Sequence, residues 1–366
     1  MDSLLRYEPE YGRAVSATDV SGRAPAGPNG SPDVTETLGH GDRRTVFRMA
    51  WPAIVENSLH TLLGIVDTII VGQFGAVALA AVGAGIQWLF LSLSILFGLM
   101  MGAIVLVAWA IGAGDPESAA RAARQSMLLA GGLGVLYLVL GVLGVLGAEG
   151  AVRILGADEQ VVAVGGRFLR IISYCAVLTT LTIGASSLLR AAGDTRTPMI
   201  STAVANVVNA VAAYLLVFGV AGLPQMGVDG SGWGTNIARA VGFAIVIRAI
   251  ARHPVLRVTL FGDWRPVDRV IRRIIDFGSP AVLEQVLMMG SFMVYAVIAL
   301  QLGTTTFAAQ RVTFNALTIS ILPAFGFAIA VTTLCGQYLG AGRHDLADRS
   351  TWVGVQLAAG GCRRWE

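Results

Sequence analysis

The stretch that decides the fold is residues 52–81, PAIVENSLHTLLGIVDTIIVGQFGAVALAA, which returns as residues 280–309, PAVLEQVLMMGSFMVYAVIALQLGTTTFAA. The identical residues lie 228 positions apart in every case, and they include Pro52 and Pro280, Glu56 and Glu284, and Gln73 and Gln301. The same register continues as far as Arg121 and Arg349. Chance does not supply so many identities in one register, so the chain contains an internal duplication.

The repeated material is apolar enough to lie in a membrane. Hydrophobic residues make up 55% of the chain and charged residues 13%, and the mean hydropathy is +0.68. Soluble domains carry about 25% charged residues. The 47 residues from Thr68 to Gly114 contain no charged side chain, and a single membrane helix needs only about 20 apolar residues. These features predict an all-α polytopic membrane protein.

Nine apolar segments are long enough to be membrane helices, the ninth being cut short by the end of the sequence. Their approximate bounds are Met49–Val71, Val77–Ile111, Ser126–Leu146, Val164–Leu189, Met199–Val220, Ser231–Ile250, Ile274–Leu300, Thr306–Leu339 and a ninth that begins near Trp352.

Arginines mark alternate connections between these segments. They precede the first segment and follow the second, fourth, sixth and eighth, whereas the opposite connections are nearly bare. By the positive-inside rule, the arginine-rich side and the N-terminus are expected to be cytoplasmic, in the plasma membrane of a bacterium. The net charge of +3 comes from these connections and not from a basic domain. The expected partner is therefore the lipid bilayer, and nucleic acid is not expected.

The duplication predicts two parallel six-helix bundles, because both copies begin on the same side of the membrane. The expected organisation is a disordered cytoplasmic tail (1–44), a first six-helix lobe (45–252), a cytoplasmic linker (253–273) and an incomplete second lobe (274–366). In this interpretation the chain is truncated or frame-shifted relative to a parent about a hundred residues longer, since a six-helix lobe needs that much more chain.

The first segment carries three titratable residues, Glu56, His60 and Asp67. At 100° per residue, Glu56 lies 40° from His60 and 20° from Asp67 around a helix, so all three share one stripe. A carboxylate inside a bilayer costs several kcal/mol unless it is paired, neutralised or in contact with water. Such a stripe suits an ion path, although Glu56 could instead lie among the headgroups and His60 could be a polar neighbour only.

Further polar residues lie inside or beside the other segments. Asn206 and Asn209 either belong to the site or hydrogen-bond neighbouring helices, and Glu284 is the repeat mate of Glu56. Arg239 and Arg311 are expected to reach towards the membrane surface, as long basic side chains near helix ends do. Near the fourth-to-fifth connection, Asp194 is expected to form an ion-pair cluster with Arg190 and Arg196.

Several motifs resemble those of the multidrug and toxic compound extrusion (MATE) family. They are Trp51-Pro52, Val66-Asp67-Thr68, Val71-Gly72-Gln73-Phe74-Gly75, Gly112-Ala113-Gly114, Leu189-Arg190-Ala191-Ala192-Gly193-Asp194 and, in the second copy, Leu334 to Gly342. The resemblance covers about residues 45–355. It implies two bundles that face each other in a V, and efflux of cationic or amphipathic drugs in exchange for protons or sodium ions, with no other cofactor.

The resemblance also implies roles for particular residues. Asp67 matches the first-helix aspartate that binds the coupling ion, and Asn209 matches a fifth-helix asparagine. The aspartate that follows this asparagine in one branch is Ala213 here. The seventh-helix glutamate of another branch falls at Met288, one turn beyond Glu284.

The sequence lacks the motifs of common enzymes, including a Walker loop, an H-E-x-x-H motif and a nucleophile elbow. The favoured function is therefore a secondary antiporter. The alternatives are a flippase for a lipid-linked precursor and an inactive truncated product. A flippase cavity for anionic headgroups would be lined by basic residues, whereas the first-lobe helices offer mainly acids, which favours a cationic substrate.

Overall fold

The computed structural model describes residues 41–142, 148–154, 159–222, 224–256, 264–301 and 304–363. The predicted N-terminal tail lies outside these residues except for positions 41–44. The described residues contain no strand and form eleven α-helices. They are α1 (Arg43–Gly72), α2 (Ala76–Gly112), α3 (Pro116–Val142), α4 (Ala148–Ile154), α5 (Glu159–Ser173), α6 (Ala176–Ala191), α7 (Arg196–Phe218), α8 (Val228–Arg252), α9 (Asp268–Gln301), α10 (Thr304–Gly340) and α11 (His344–Arg363).

The apolar segments predict where the helices lie, but the helices begin before their segments, and α3 and α11 do so by the most, ten and eight residues. α3 begins at Pro116 and not near Ser126, because the Asp115 carboxylate accepts a hydrogen bond of 2.9 Å from the Ser118 N–H and proline suits the first helical position. α11 begins at His344, not near Trp352. The polar first turns of both helices therefore extend beyond the apolar segments.

The fourth apolar segment is two helices and not one. α5 and α6 meet at Tyr174 and Cys175, where their axes differ by 55°. The Ser173 hydroxyl donates to the Leu169 carbonyl at 2.7 Å, a contact that bends helices. From α8, the Asn236 amide donates to the Ile171 carbonyl at 2.6 Å, which satisfies the end of α5.

The two repeats meet through reciprocal contacts between α2 and α10. A Cβ added to Gly112 would lie 1.9 Å from the Gln337 carbonyl oxygen, and a Cβ added to Gly340 would lie 2.0 Å from the Trp109 carbonyl oxygen. Gly112 and Gly340 are repeat mates, as are Trp109 and Gln337. Along the two helices the contacts advance together, from Val105 with Gly336 to Ala113 with Gly340, so the helices run parallel, as the predicted parallel duplication requires.

A second reciprocal pair joins each repeat's second helix to the other's first. Gly98 of α2 lies against Val282 of α9, and its mate Gly326 of α10 lies against Ile54 of α1. Buried apolar clusters accompany these contacts, with Val46 and Met49 of α1 against residues of α10 and α11. All of these residues lie in the halves of their helices nearer the arginine-rich side, where the repeats are sealed together.

Five described helices have the length and hydropathy of membrane spans: α1, α2, α3, α7 and α8. The bent pair α5 and α6 meets the same criteria when taken together. The structure does not describe many side chains of α9 and α10, so the predicted total of nine spans is not tested.

Candidate functional site

An ion pair links the first helix to the end of α6. The Arg190 guanidinium lies 2.6 Å from Glu56 Oε1, and the two side chains are 13% and 7% exposed. Arg190 is in the last turn of α6, so its charge also lies favourably at a helix C-terminus. Glu56 is therefore neither a snorkelling residue nor a helix cap but half of a buried ion pair.

Three further polar residues surround this pair. The Thr202 hydroxyl of α7 lies 3.5 Å from Glu56 Oε1, at the limit of a hydrogen bond. His60 has an exposed side chain but is close enough to Glu56 and Arg190 to interact electrostatically with both. The Asn206 amide donates to the Leu59 carbonyl at 2.7 Å. We call Glu56, Arg190, Thr202, His60 and Asn206 the inner cluster.

The side chain of Gln337 connects the second repeat to the residue next to the inner cluster. Next to Arg190, the Ala191 carbonyl accepts a buried hydrogen bond of 2.7 Å from the Gln337 side chain of α10. Gln337 is also the residue that Gly112 approaches. We call the contacts of Gly112 with Gln337, of Gly340 with Trp109 and of Gln337 with Ala191 the seal between the repeats. The seal lies next to the Glu56–Arg190 pair.

The predicted ion-pair cluster of Asp194 with Arg190 and Arg196 is wrong. The Asp194 carboxylate accepts hydrogen bonds from the backbone N–H groups of Arg196 and Thr197, at 3.1 and 3.0 Å. It therefore caps the start of α7. Arg190 is not in the connection, because α6 continues to Ala191 and directs this side chain towards Glu56.

About 16 Å further along α1, eleven residues at 1.5 Å each, Asp67 forms a second charged site with Arg239 of α8. The two side chains interact electrostatically. Asp67 Oδ1 and Arg239 Nη1 are both buried, and neither has a hydrogen-bond partner among the described residues. The expectation that Arg239 reaches to the membrane surface is therefore wrong. The Arg311 side chain lies outside the described residues.

Asn209 lies between these helices and has no exposed surface. Its amide donates to the Thr235 hydroxyl of α8 at 3.1 Å, and that hydroxyl donates to the Ser231 carbonyl at 3.0 Å. The Asn209 Oδ1 atom is buried and has no described partner. Asn209 thus joins α7 to α8 and keeps one acceptor free.

The structure does not bring Glu284 into contact with these groups. Its side chain is exposed on α9, and no hydrogen bond or ion pair joins it to a described residue. The repeat mates Glu56 and Glu284 therefore differ in environment, because the described part of the second repeat contains no helix in the position of α6 to supply an arginine.

The arrangement places an acid and a base at each of two positions along α1. Glu56 faces Arg190, and Asp67 faces Arg239. The sequence-based argument that the first-lobe helices offer mainly acids is therefore wrong, since each acid has an arginine beside it. Among the described residues, no group of three or more His, Cys, Asp or Glu side chains is placed to hold a metal ion.

Sequence reasoning missed the two arginines and the hydroxyls of Thr202 and Thr235 as site residues. An arginine inside an apolar segment was a usable signal for Arg239, because an intramembrane charge normally has a partner. No such signal existed for Thr202 and Thr235.

Comparison with known proteins gives consistent matches. Residues 52–215 and 280–361 match the MatE family model. A probable multidrug resistance protein NorM of Thermotoga maritima is 31% identical over 304 residues, which are 83% of this chain and 64% of that protein. DNA damage-inducible protein F of Escherichia coli is 29% identical over 81% of this chain and 64% of its own length. The chain thus spans a little under two thirds of both relatives.

Solved structures share the fold. One, described as the outward-facing conformation of a multidrug resistance MATE family transporter, superposes with a TM-score of 0.81 at 21% identity, over 89% of this chain and 71% of its own. Another is a transporter of the MOP superfamily from Pyrococcus furiosus, with a TM-score of 0.79, 22% identity and the same two coverages. The two matched stretches of the family model begin 228 positions apart, at the repeat mates Pro52 and Pro280. This chain belongs to the MatE family of membrane transporters.

Proposed function

We propose that this chain belongs to a secondary antiporter that exports cationic or amphipathic small molecules in exchange for protons or sodium ions. The observation that carries the proposal is Asp67, a carboxylate inside a membrane helix, five residues before the end of α1 at Gly72, with one buried oxygen that no described group satisfies. A carboxylate is kept in such a place when it binds a proton or cation during function. The multidrug resistance names of the relatives support the export of small molecules.

The polar groups around Asp67 suit an ion site. Asn209 is one turn before Ala213, which packs against Val66 and Ile70 of α1, and Thr235 of α8 accepts a hydrogen bond from Asn209. The oxygens of such groups are ligands that hard cations prefer. Asp67, Asn209 and Thr235 are the residues we propose for the coupling ion. Glu56, His60 and Asn206 belong to the inner cluster and line the route towards the arginine-rich side. Glu284 is left without a proposed role.

The conformation suits release of the substrate on the side of the membrane opposite the arginine-rich connections. The reciprocal glycine contacts and the Gln337 hydrogen bond join the repeats near the arginine-rich side. In a transporter of two repeats that rock against each other, sealing on one side accompanies opening on the other. We infer an outward-facing state, in agreement with the conformation described for the related structure.

We also propose that the N-terminus and the arginine-rich side face the cytoplasm of a bacterium, by the positive-inside rule. Thiol labelling of intact cells tests this orientation in a chain without its native cysteines. A cysteine at the exposed Gln225 should react with an impermeant reagent and one at the exposed Arg196 should not. The reverse pattern would place the N-terminus outside.

One observation favours a second candidate, a flippase for a lipid-linked precursor. Arg190 and Arg239 add positive charge to the interior of the helices, and an anionic headgroup needs such charge. The Pyrococcus furiosus structure is described as having a binding pocket of reverse polarity that suggests a different function. The two candidates differ in substrate charge, so export of a cationic dye and of an anionic lipid analogue distinguishes them.

Drug resistance in cells tests the proposal. In the full-length protein expressed in a strain without its own pumps, Asp67→Asn should abolish resistance to ethidium and to norfloxacin-like drugs while the protein still inserts into the membrane. Asp348→Asn is the matched control, because Asp348 is exposed on α11. Resistance in the Asp67 variant equal to that of the parent would show that the carboxylate is not needed for export.

A further inference from the structure

Arg239 lies where three parts of the first repeat meet. It is on α8, where its guanidinium interacts electrostatically with Asp67 of α1 and lies near the Cys175 thiol at the break between α5 and α6. One turn before it, Asn236 donates to the Ile171 carbonyl at the end of α5. The guanidinium therefore lies between a carboxylate and the C-terminal end of α5, which carries partial negative charge.

The Asp67–Arg239 pair is open, whereas the Glu56–Arg190 pair is closed. Arg190 contacts Glu56 at 2.6 Å. No described hydrogen bond or ion pair joins Asp67 to Arg239, although Asp67 Oδ1 and Arg239 Nη1 are both buried and without partners. A buried ion pair compensates for the loss of hydration only when its hydrogen bonds are complete. Arg190 Nε is likewise buried and without a described partner, so the two pairs differ in their direct contact: Arg190 touches Glu56, whereas no such contact joins Asp67 to Arg239.

An open pair of opposite charges has a functional consequence. Arg239 attracts Asp67 and neutralises its charge while the site holds no other cation, so the empty carrier is not left with an uncompensated carboxylate in the bilayer. A proton or sodium ion that arrives at Asp67 has to compete with this attraction. A positive charge within about 4–6 Å lowers the proton affinity of a carboxylate by about one to three orders of magnitude, and the same repulsion opposes the binding of a sodium ion.

The break between α5 and α6 gives Arg239 an alternative place. Cation sites of secondary transporters commonly use the ends of discontinuous helices, whose backbone carbonyls are available at the break. The end of α5 at Ser173 is adjacent to Cys175, which lies near Arg239. A guanidinium displaced from Asp67 by a bound ion would therefore still face partial negative charge.

We propose that Arg239 is a tethered cation that competes with the coupling ion for Asp67, and that this competition sets the affinity of the site and helps to release the ion. The inference rests on the proposed function, since it assumes that Asp67 binds the coupling ion. It assigns Arg239 a role in ion affinity, and it distinguishes this residue from Arg190, whose closed pair with Glu56 we assign to the seal.

The test is a cation-binding measurement on the purified full-length protein in lipid nanodiscs, with no transport step. Sodium binding is measured with radioactive sodium, and proton binding at Asp67 by the infrared band of a protonated carboxyl group. For whichever cation binds, Arg239→Gln should lower the half-saturating concentration by about tenfold or more. Arg239→Lys, which keeps the charge, should stay closer to the parent.

The matched control is Arg252→Gln, the same substitution on the same helix at an exposed position; it should bind the cation as the parent does. If Arg239→Gln does not fold, Arg239→Met replaces it, since it keeps the apolar stem and removes only the charge. A half-saturating concentration in the neutral variant equal to or higher than that of the parent overturns the inference.

The same experiment separates this inference from the proposed function. If Asp67→Asn binds the cation as well as the parent does, Asp67 is not the ion site. The part of the proposed function that assigns the coupling ion to Asp67 is then rejected. If Asp67→Asn loses binding while Arg239→Gln leaves the affinity unchanged, the proposed function stands and only the role of Arg239 is rejected.

Discussion

At the scale of residues, the first helix places two acids on one stripe and gives each a different partner. Glu56 has a closed contact with Arg190, and Asp67 has an open one with Arg239. We therefore propose different tasks for the two carboxylates of this helix, the first holding helices together and the second binding an exchangeable ion.

The closed pair makes a prediction for stability. Arg190→Gln or Glu56→Gln alone should destabilise the protein by about 3–5 kcal/mol, because each leaves the other charge buried and unpaired. The double variant should be destabilised by less than the sum of the two, since no charge is then left uncompensated. Reversible unfolding in mixed micelles measures these free energies. Additive losses would mean that the pair is not coupled.

The acids of the site could be predicted from the sequence, but their partners could not. Glu56 and Asp67 stand out as charges within an apolar segment, and helical periodicity alone places them on one stripe. Arg190 follows an apolar segment and resembles a loop residue, and only the packing of α6 against its neighbours directs it towards Glu56. Contacts between helices far apart in sequence leave no periodic pattern in either one.

At the scale of elements, the start of α1 depends on Asp42. The Asp42 carboxylate caps this helix by accepting a hydrogen bond of 3.0 Å from the Thr45 N–H. Hydrogen bonds from the Thr45 side chain and backbone lower the pKa of Asp42 below its ordinary value of 3.8. The stabilisation is therefore present above the unfolded-state pKa and is lost as the pH falls through the lowered folded-state pKa.

We expect Asp42→Ala to destabilise the first turn of α1 by about 0.5–2 kcal/mol at neutral pH. Hydrogen exchange of the amides in this turn measures the effect, which should shrink as the pH falls below 3.8. Asp42→Asn is the control, because it caps the helix without a titratable group. An Asp42→Ala effect that is equally large at pH 2 and pH 7 would rule out the ionised cap.

The contact between α2 and α10 makes a prediction for Gly112. An alanine Cβ there would lie 1.9 Å from the Gln337 carbonyl oxygen, so the two helices would have to separate. Gly112→Ala should lower the melting temperature by several degrees, as overpacking by about 1–3 kcal/mol does. Gly132→Ala in α3 is the matched control, since nothing lies within 4 Å of its Cβ. Equal melting temperatures would contradict the close approach.

Hydropathy predicts where the helices lie better than it predicts the residues at which they begin or break. The beginnings of α3 and α11 are polar, so they are missed by any criterion that follows apolar residues, although Asp115 and Pro116 carry the local signals of a helix start. The break at Cys175 has neither proline nor glycine. Hydrogen bonds of Ser173 and Asn236 accompany the break, and the second of them comes from a distant helix.

At the scale of the whole molecule, the duplication explains how two sets of helices form one transporter. Repeat mates make reciprocal contacts, Gly112 with Gln337 and Gly340 with Trp109. The direction of the helices and the relation between the repeats could therefore be derived from the 228-residue register. The differences between the repeats could not, because Glu56 has an arginine partner and Glu284 has none among the residues that the structure describes.

Coupling of export to a cation gradient through Asp67 can be measured as transport by the full-length protein in liposomes. Proton and sodium gradients are imposed separately, and ethidium movement is followed by fluorescence. One gradient should drive ethidium transport, an ionophore that collapses this gradient should stop it, and Asp67→Asn should abolish it while Asp348→Asn does not. Ethidium transport that needs neither gradient, or that continues unchanged in the Asp67 variant, would contradict the account.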